Sequence, residues 1–392
     1  MLIETLEKWV NINSGSGNPE GLGRMADVLQ AYMEDIPGTL ERTPLPPYEN
    51  LDGSSQQPGD ILSLRFNPEA PVRVLFSGHM DTVYSPENPF QTMSRLPDGR
   101  LHGPGVADMK GGLLILIESV RQFLQSDKTG RIGGEILING DEETGSVGSR
   151  DRILEAARWS HLGLVFESSL PGGELVRCRK GSGTFRVIAR GRPAHTGRDF
   201  ENGRNAVVAL ADLMQACHAL NGQLGETIVN VVNFLAPGPV NVVPERAECW
   251  LNVRIAHIDE MERFREALAG LIQQTMERRE DVQIELEGDF QRAPKGETPG
   301  IAVLHELWNK AEESLGLPLS GKRDTGGSSD GNILSEVGMP HLDGVGIRGG
   351  AIHSADEFAF AETIETGISR TVNFLQLLAQ QPDCLGEVTS AD

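Results

Sequence analysis

Between Leu62 and Ser168 the chain switches repeatedly between two hydrophobic periods. The runs LSLRF (62–66), VRVLFSGH (72–79), GEILINGDEE (134–143) and LGLVFES (162–168) read as strands. MKGGLLILIESVRQFLQS (109–126) and SRDRILEAARW (149–159) carry the three-to-four-residue spacing of helices instead. Such alternation predicts an α/β fold with a largely parallel central sheet covered by helices. In sheets of that kind ligands gather beyond the carboxyl ends of the strands. The stretch Thr39 to Asp60, rich in Pro, Gly and Ser, reads as a surface excursion.

Near Arg179 the pattern changes. GTFRVIARG (183–191) reads as a strand, NAVVALADLMQACHAL (205–220) as a helix, TIVNVVNFLA (227–236) and AECWLNVRIA (247–256) as strands. MERFREALAGLIQQTMERR (261–279) is a further helix and VQIELEGDF (282–290) a further strand. The order β-α-β-β-α-β is that of a ferredoxin-like α+β unit. It predicts a domain over 179–291, inserted into a first domain made of 1–178 and 292–392. The final hundred or so residues return to that first domain, with two helical stretches around the Gly-rich loop DTGGSSDGN (324–332).

Composition narrows the class. At 392 residues two domains are expected, and no window approaches the roughly 20 apolar residues of a membrane span. The first residues carry acids where a secretory leader would carry bases and then an apolar block, so a cytoplasmic location is expected. Cys178, Cys217, Cys249 and Cys384 are scattered without a CxxC pair, which suits reduced thiols. A formal charge of −21 argues against nucleic acid as a partner.

Against that background, five segments place metal-competent side chains at strand ends or in loops: SGHMDTV at His79, GPGVADMKGG at Asp108, NGDEETGS at Glu142 and Glu143, VFES at Glu167, and IHSADE at His353. Two imidazoles and three carboxylates, with one acid to spare, are what a two-zinc hydrolase needs for its ligands and general base. Each segment also has a plainer reading. HxD is commonly a surface pair, though at a strand end His79 and Asp81 project to one side, where Asp81 can accept the second imidazole N–H. Asp108 before an apolar helix suits an N-cap, and the acidic trio 141–143 suits a solvated face. Which of Glu142 and Glu143 ligates is left open by the sequence. A lone histidine such as His353 is usually structural. His195 in GRPAHTG, Asn241 in PGPVNVVP and Arg254 in WLNVRI all fall in the inserted unit, and the Arg254 guanidinium fork suits a substrate carboxylate.

Laid end to end, GHMDTV, GPGVADMKGG, DEETGS and IHSADE with an inserted domain between them resemble the co-catalytic zinc peptidases and deacylases. That family includes acetylornithine deacetylase, succinyl-diaminopimelate desuccinylase, aminoacylase and bacterial glutamate carboxypeptidase. The spacing resembles the glutamate carboxypeptidase branch most, although VFESS lacks a Glu-Pro pair and the 39–60 excursion has no counterpart. The resemblance implies that His79 and Glu167 bind one zinc, Glu143 and His353 the other, with Asp108 bridging. It implies Asp81 as the support of His79 and Glu142 as general base. It further implies that the inserted domain is a lid that makes a homodimer, and that His195 reaches the partner's site. Asn241, Arg254, Gly326 and Gly327 would contact substrate. With that ligand set two Zn²⁺ meet three carboxylate charges, leaving one for a hydroxide; Co²⁺ or Mn²⁺ would also suit the donors. The implied activity is hydrolysis of an amide or peptide bond next to a free carboxylate. N-acyl-amino-acid deacylation is the alternative. A two-metal phosphoesterase would want a cationic cradle that this acidic chain does not show, and a catalytically silent binding protein would lack a ligand or the base.

Overall fold

In the computed structural model, which describes residues 1–380, the first-domain strands assemble one six-stranded sheet. Across the sheet the order is Thr39–Thr43, Gly59–Phe66, Ile132–Gly140, Val72–His79, Leu162–Val165 and His341–Asp343. The last four are mutually parallel, whereas Gly59–Phe66 runs antiparallel to both of its neighbours. The alternation of side chains divides the core into two layers. Val72, Val74 and Phe76 join one apolar cluster with Leu113, Ile117 and Phe374 of the helices Gly111–Ser126 and Thr363–Gln380. Leu75 and Leu137 face the other way, toward Ile153 and Ala156 of helix Arg150–Trp159 and Ile333 of helix Asp330–Glu336. Each such Leu, Ile, Val or Phe contributes about 1.5–3 kcal/mol on burial, which fixes the register of the strands and so the positions of their ends. Gly112 permits a close approach there: a Cβ would stand 2.0 Å from the carbonyl oxygen of Phe166, the residue before Glu167.

Three local expectations need correction. The excursion after Thr39 begins as an edge strand, Thr39–Thr43 in register with Ile61–Arg65, and continues as a small hairpin pairing Tyr48–Glu49 with Ser55–Gln56. TLERT has no apolar run because an edge strand with alternating exposure needs none. The strand predicted over GEILINGDEE stops at Gly140, and the acids turn away in a short 3-10 helix, Glu142–Thr144. After the inserted segment the described residues form three helices instead of two: Pro299–Ser314, Asp330–Glu336 and Thr363–Gln380. The extra one arises inside the Gly-rich loop, where the Ser329 side chain caps the N–H of Gly331.

The segment from Gly181 to Arg292 forms a second sheet, ordered Ile228–Leu235, Arg246–Ile255, Gly181–Arg190, Gln283–Arg292 and antiparallel throughout. Helices Ala206–Ala219, capped by Asn205, and Ile258–Arg278 pack on it around Leu210, Leu251 and Phe264. The chain enters and leaves this unit side by side. Arg179 and Lys295 exchange two backbone hydrogen bonds, both 3.0 Å, and the Arg179 guanidinium donates to both Asp343 oxygens at 2.7 and 2.8 Å. Lys295 Nζ donates to the carbonyls of Val176 and Arg177. Cys178, Cys217 and Cys249 are free thiols; Cys384 lies outside the described residues. Among the described residues no helix is long and apolar enough to cross a membrane.

Candidate metal centre and its cleft

His79 is the last residue of its strand, Glu142 and Glu143 follow the strand Ile132–Gly140, and Glu167 follows Leu162–Val165, so three adjacent parallel strands deliver their side chains to one edge. Asp108 lies in the short π-helical turn Val106–Lys110 ahead of helix Gly111–Ser126, and His353 between the short strands Gly349–Gly350 and Phe358–Ala359. The six converge. His79 Nε2 lies 3.2 Å from Asp108 Oδ1 and 3.7 Å from Glu167 Oε1. His353 Nε2 lies 3.1 Å from Asp108 Oδ2 and 3.3 Å from Glu143 Oε2. Donor atoms of His79, Asp108 and Glu143 all fall within 4.8 Å of one another, and so do those of His79, Glu142 and Glu167.

Asp81 organises this edge. Its oxygens lie against His79 Nδ1 (3.3 Å) and accept from the backbone N–H groups of Glu142 (3.1 Å) and Glu143 (3.0 Å) and from Ser16 Oγ (2.8 Å). One carboxylate therefore orients both an imidazole and the turn that carries the two glutamates. Glu357, which the sequence reading passed over, does the same for Asp108. It accepts from the N–H groups of Gly105, Ala107 and Asp108 at 2.9–3.0 Å and from Tyr84 Oη at 2.7 Å. Its place four residues beyond His353 in IHSADEF was the available signal. Arg292, at the last position of the inserted sheet, was also missed. Its Nη1 lies 2.7 Å from Glu142 Oε1, and its Nη2 donates to the Glu142 carbonyl, Ser146 Oγ and Asp330 Oδ1.

The electrostatics call for cations. Burial, then the Asp108 charge, pushes Glu143 up to about 8 and Glu167 well above the carboxylate range. Burial also raises Glu142, against the opposing Arg292 charge. Hydrogen bonds to Asp108 and Glu143 push His353 up to about 11, and Asp108 and Asp81 raise His79 in spite of its burial. Asp108, although buried, is held low by the two imidazoles. Glu143 Oε1 is buried with no hydrogen-bond partner among the described residues, and Glu142 Oε1 meets Arg292 Nη1. Crowded acids, an orphaned oxygen and oxygen–nitrogen donors at mutual ligand distance fit a pair of divalent ions.

Glu142, Glu143 and His353 open onto a cleft of about 980 Å³ between the two sheets, which Arg254 and Gly327 also line. Arg254 donates only to Ser328 Oγ, at 3.4 Å, among the described residues. Gly326 does not line the cleft, and neither do His195 and Asn241. The last two are exposed neighbours in the inserted unit, where Thr196 N donates to the Asn241 carbonyl and His195 bridges to Val242. Arg254, near the end of strand Arg246–Ile255, lines the cleft, while Asn241 sits in the loop before that strand.

The sequence model of peptidase family M20/M25/M40 matches residues 75–377. Carboxypeptidase G2 of Pseudomonas sp. is 27% identical over 354 residues, covering 90% of this chain and 83% of its own. A succinyl-diaminopimelate desuccinylase of Rhodospirillum centenum is 27% identical over 394 residues, covering 92% and 94%. In fold, a tripeptidase from Staphylococcus aureus superposes with a TM-score of 0.73 at 19% identity, covering 97% of this chain and 98% of that one.

Proposed function

Because the chain belongs to peptidase family M20/M25/M40 and is a metal-dependent hydrolase, we propose that it is a cytoplasmic two-zinc enzyme cleaving an amide or peptide bond beside a free carboxylate. The observation that carries this reading is the single cluster in which His79, Asp108, Glu143, Glu167 and His353 meet, with Glu143 and His353 opening onto the cleft that Arg254 also lines. His79 and Glu167 would hold one ion, Glu143 and His353 the other, with Asp108 between them; the distances of Asp108 to both imidazoles support that bridging place. Bound there, the ions supply Lewis-acid polarisation of the scissile carbonyl and make a water acidic enough to lose its proton near neutral pH.

Glu142 Oε takes that proton and delivers it to the leaving nitrogen. Its assignment over Glu143 is supported by the pairing of Glu143 with His353 and of Glu142 with Arg292. Asp81 keeps His79 in the tautomer that presents Nε2. Arg254, with Gly327 and the neighbouring Gly326 of the same loop, holds the substrate carboxylate on the amine side of the bond, and closure of the two units aligns the carbonyl. His195 and Asn241, exposed and away from their own cleft, complete the site of a second subunit in a homodimer formed through the inserted domain, 179–291; residues 1–178 and 292–392 make the catalytic domain.

The test is hydrolysis by zinc-loaded and metal-stripped protein of N-acyl amino acids and dipeptides alongside their C-terminal amides. Cleavage that needs metal and falls at least about tenfold on amidation is the expected result, since a charge-assisted contact contributes about 1.5–3 kcal/mol. Arg254→Ala abolishes the discrimination between acid and amide. Equal cleavage of acid and amide refutes the carboxylate requirement.

A further inference from the structure

The hairpin Tyr48–Gln56 has no place in the chemistry so far, yet it runs through the cleft. Tyr48 to Asp52 line it continuously with Glu142, Glu143 and His353. The hairpin is fastened at both sides. On the catalytic side Tyr48 Oη donates to Thr144 Oγ1 (3.1 Å), next to the two glutamates, and Gln56 Nε2 donates to the Ser16 carbonyl (2.7 Å). On the far side Arg186 Nη1, from the inserted sheet, donates to the Leu51 carbonyl (2.7 Å). The Leu51 side chain packs over Gly288, where a Cβ would stand only 2.9 Å from Leu51 Cδ1. Arg186 also lies over the Trp250 ring, 5.3 Å from its centroid, so Leu51 and Trp250 form one continuous wall.

That wall carries both apolar and acidic side chains. Tyr48, Leu51, Val147 and Trp250 supply its surface, while Glu49 and Asp52 add two carboxylates. Arg186, behind the wall, is already engaged by Glu248 at 2.7 Å and Glu287 at 3.3 Å, and Arg292, which lines the cleft, by Glu142 at 2.7 Å and Asp330 at 3.2 Å. Arg254 is the cleft's guanidinium without a carboxylate partner among the described residues, and the proposed reading reserves it for the amine-side carboxylate. An acyl group ending in a second carboxylate would therefore meet negative charge and apolar surface with no cation to receive it.

From this we infer that the hairpin is the acyl-side specificity wall, admitting uncharged apolar acyl groups and rejecting anionic ones such as succinyl. The inference rests on the proposed amidohydrolase reading and narrows its substrate class.

N-butanoyl and N-succinyl derivatives of the same amino acid differ at the far end only in methyl against carboxylate. The experiment measures their hydrolysis by the zinc-loaded enzyme and, separately, their calorimetric binding to the zinc-loaded Glu142→Gln protein. The butanoyl compound is expected to be favoured at least about tenfold in both. Glu49→Gln with Asp52→Asn, both at exposed positions, should raise efficiency and affinity for the succinyl compound several-fold and leave the butanoyl values within twofold. Binding preference without any turnover would overturn the amidohydrolase reading and leave the wall in place. Equal binding of the two compounds, succinyl preference, or a ratio untouched by the double substitution would overturn the wall.

Discussion

At the scale of single residues, the proposed division of labour between two adjacent glutamates is the sharpest point. Glu142 and Glu143 share a turn and the same Asp81 anchor, yet their side chains part: one meets Arg292, the other His353. Glu142→Gln keeps the shape and removes the proton acceptor, so bound zinc should stay near two per chain while turnover drops by several powers of ten. Glu143→Ala or Asp108→Ala should instead lower bound zinc, read by metal analysis after dialysis. Loss of zinc in Glu142→Gln with retention in Glu143→Gln would reverse the two roles. Sequence could pair these residues with metal chemistry but not separate them, because what separates them is Arg292, some 150 positions away along the chain. Glu357 stands beside His353 in the sequence, but its partner Asp108 lies 249 positions away, so its role was not readable locally.

At the scale of elements, strands were legible wherever burial on both faces demanded a continuous apolar run, as in VRVLFSGH. Polar edge pieces such as TLERT and the hairpin after it carry no such run, and the hairpin's role comes from contacts with the inserted sheet that no local pattern encodes. The strand His341–Asp343 offers a test of packing. His341 is fully buried, its Nδ1 bonded to the Met339 carbonyl and its Nε2 without a partner, and burial followed by the Lys295 charge lowers it to about 4. In the unfolded chain it titrates near 6.5. Between those values the unfolded state binds a proton that the folded state refuses, so stability is level above about pH 6.5 and falls as pH drops toward 4, by roughly 3 kcal/mol over the full interval. His341→Gln should therefore show a smaller decrease in unfolding midpoint between pH 7 and pH 5 than the parent. An identical decrease in both proteins would show that folding leaves the pKa of this imidazole unchanged.

For the whole molecule, the question is whether one chain owns a complete site. His195 and Asn241 stand exposed and outside the cleft that their own chain builds. If they serve a neighbouring copy, mixing inactive His195→Ala with inactive Glu142→Gln subunits should restore part of the activity, since some mixed pairs hold one intact site. Absence of recovery after demonstrated subunit exchange would confine His195 to its own chain or to no catalytic part.

The crossing between the two units has a consequence for ancestry and engineering alike. Arg179 and Lys295 face each other as a bonded pair, so the cut ends of the catalytic body already meet where the inserted unit departs. A few residues would suffice to splice them. The chain passes between host and guest at this one bonded crossing, but Arg186, Arg254 and Arg292 of the guest also reach Leu51, Ser328 and Glu142 of the host, so a different guest with closely spaced ends could be seated there only if those contacts were replaced.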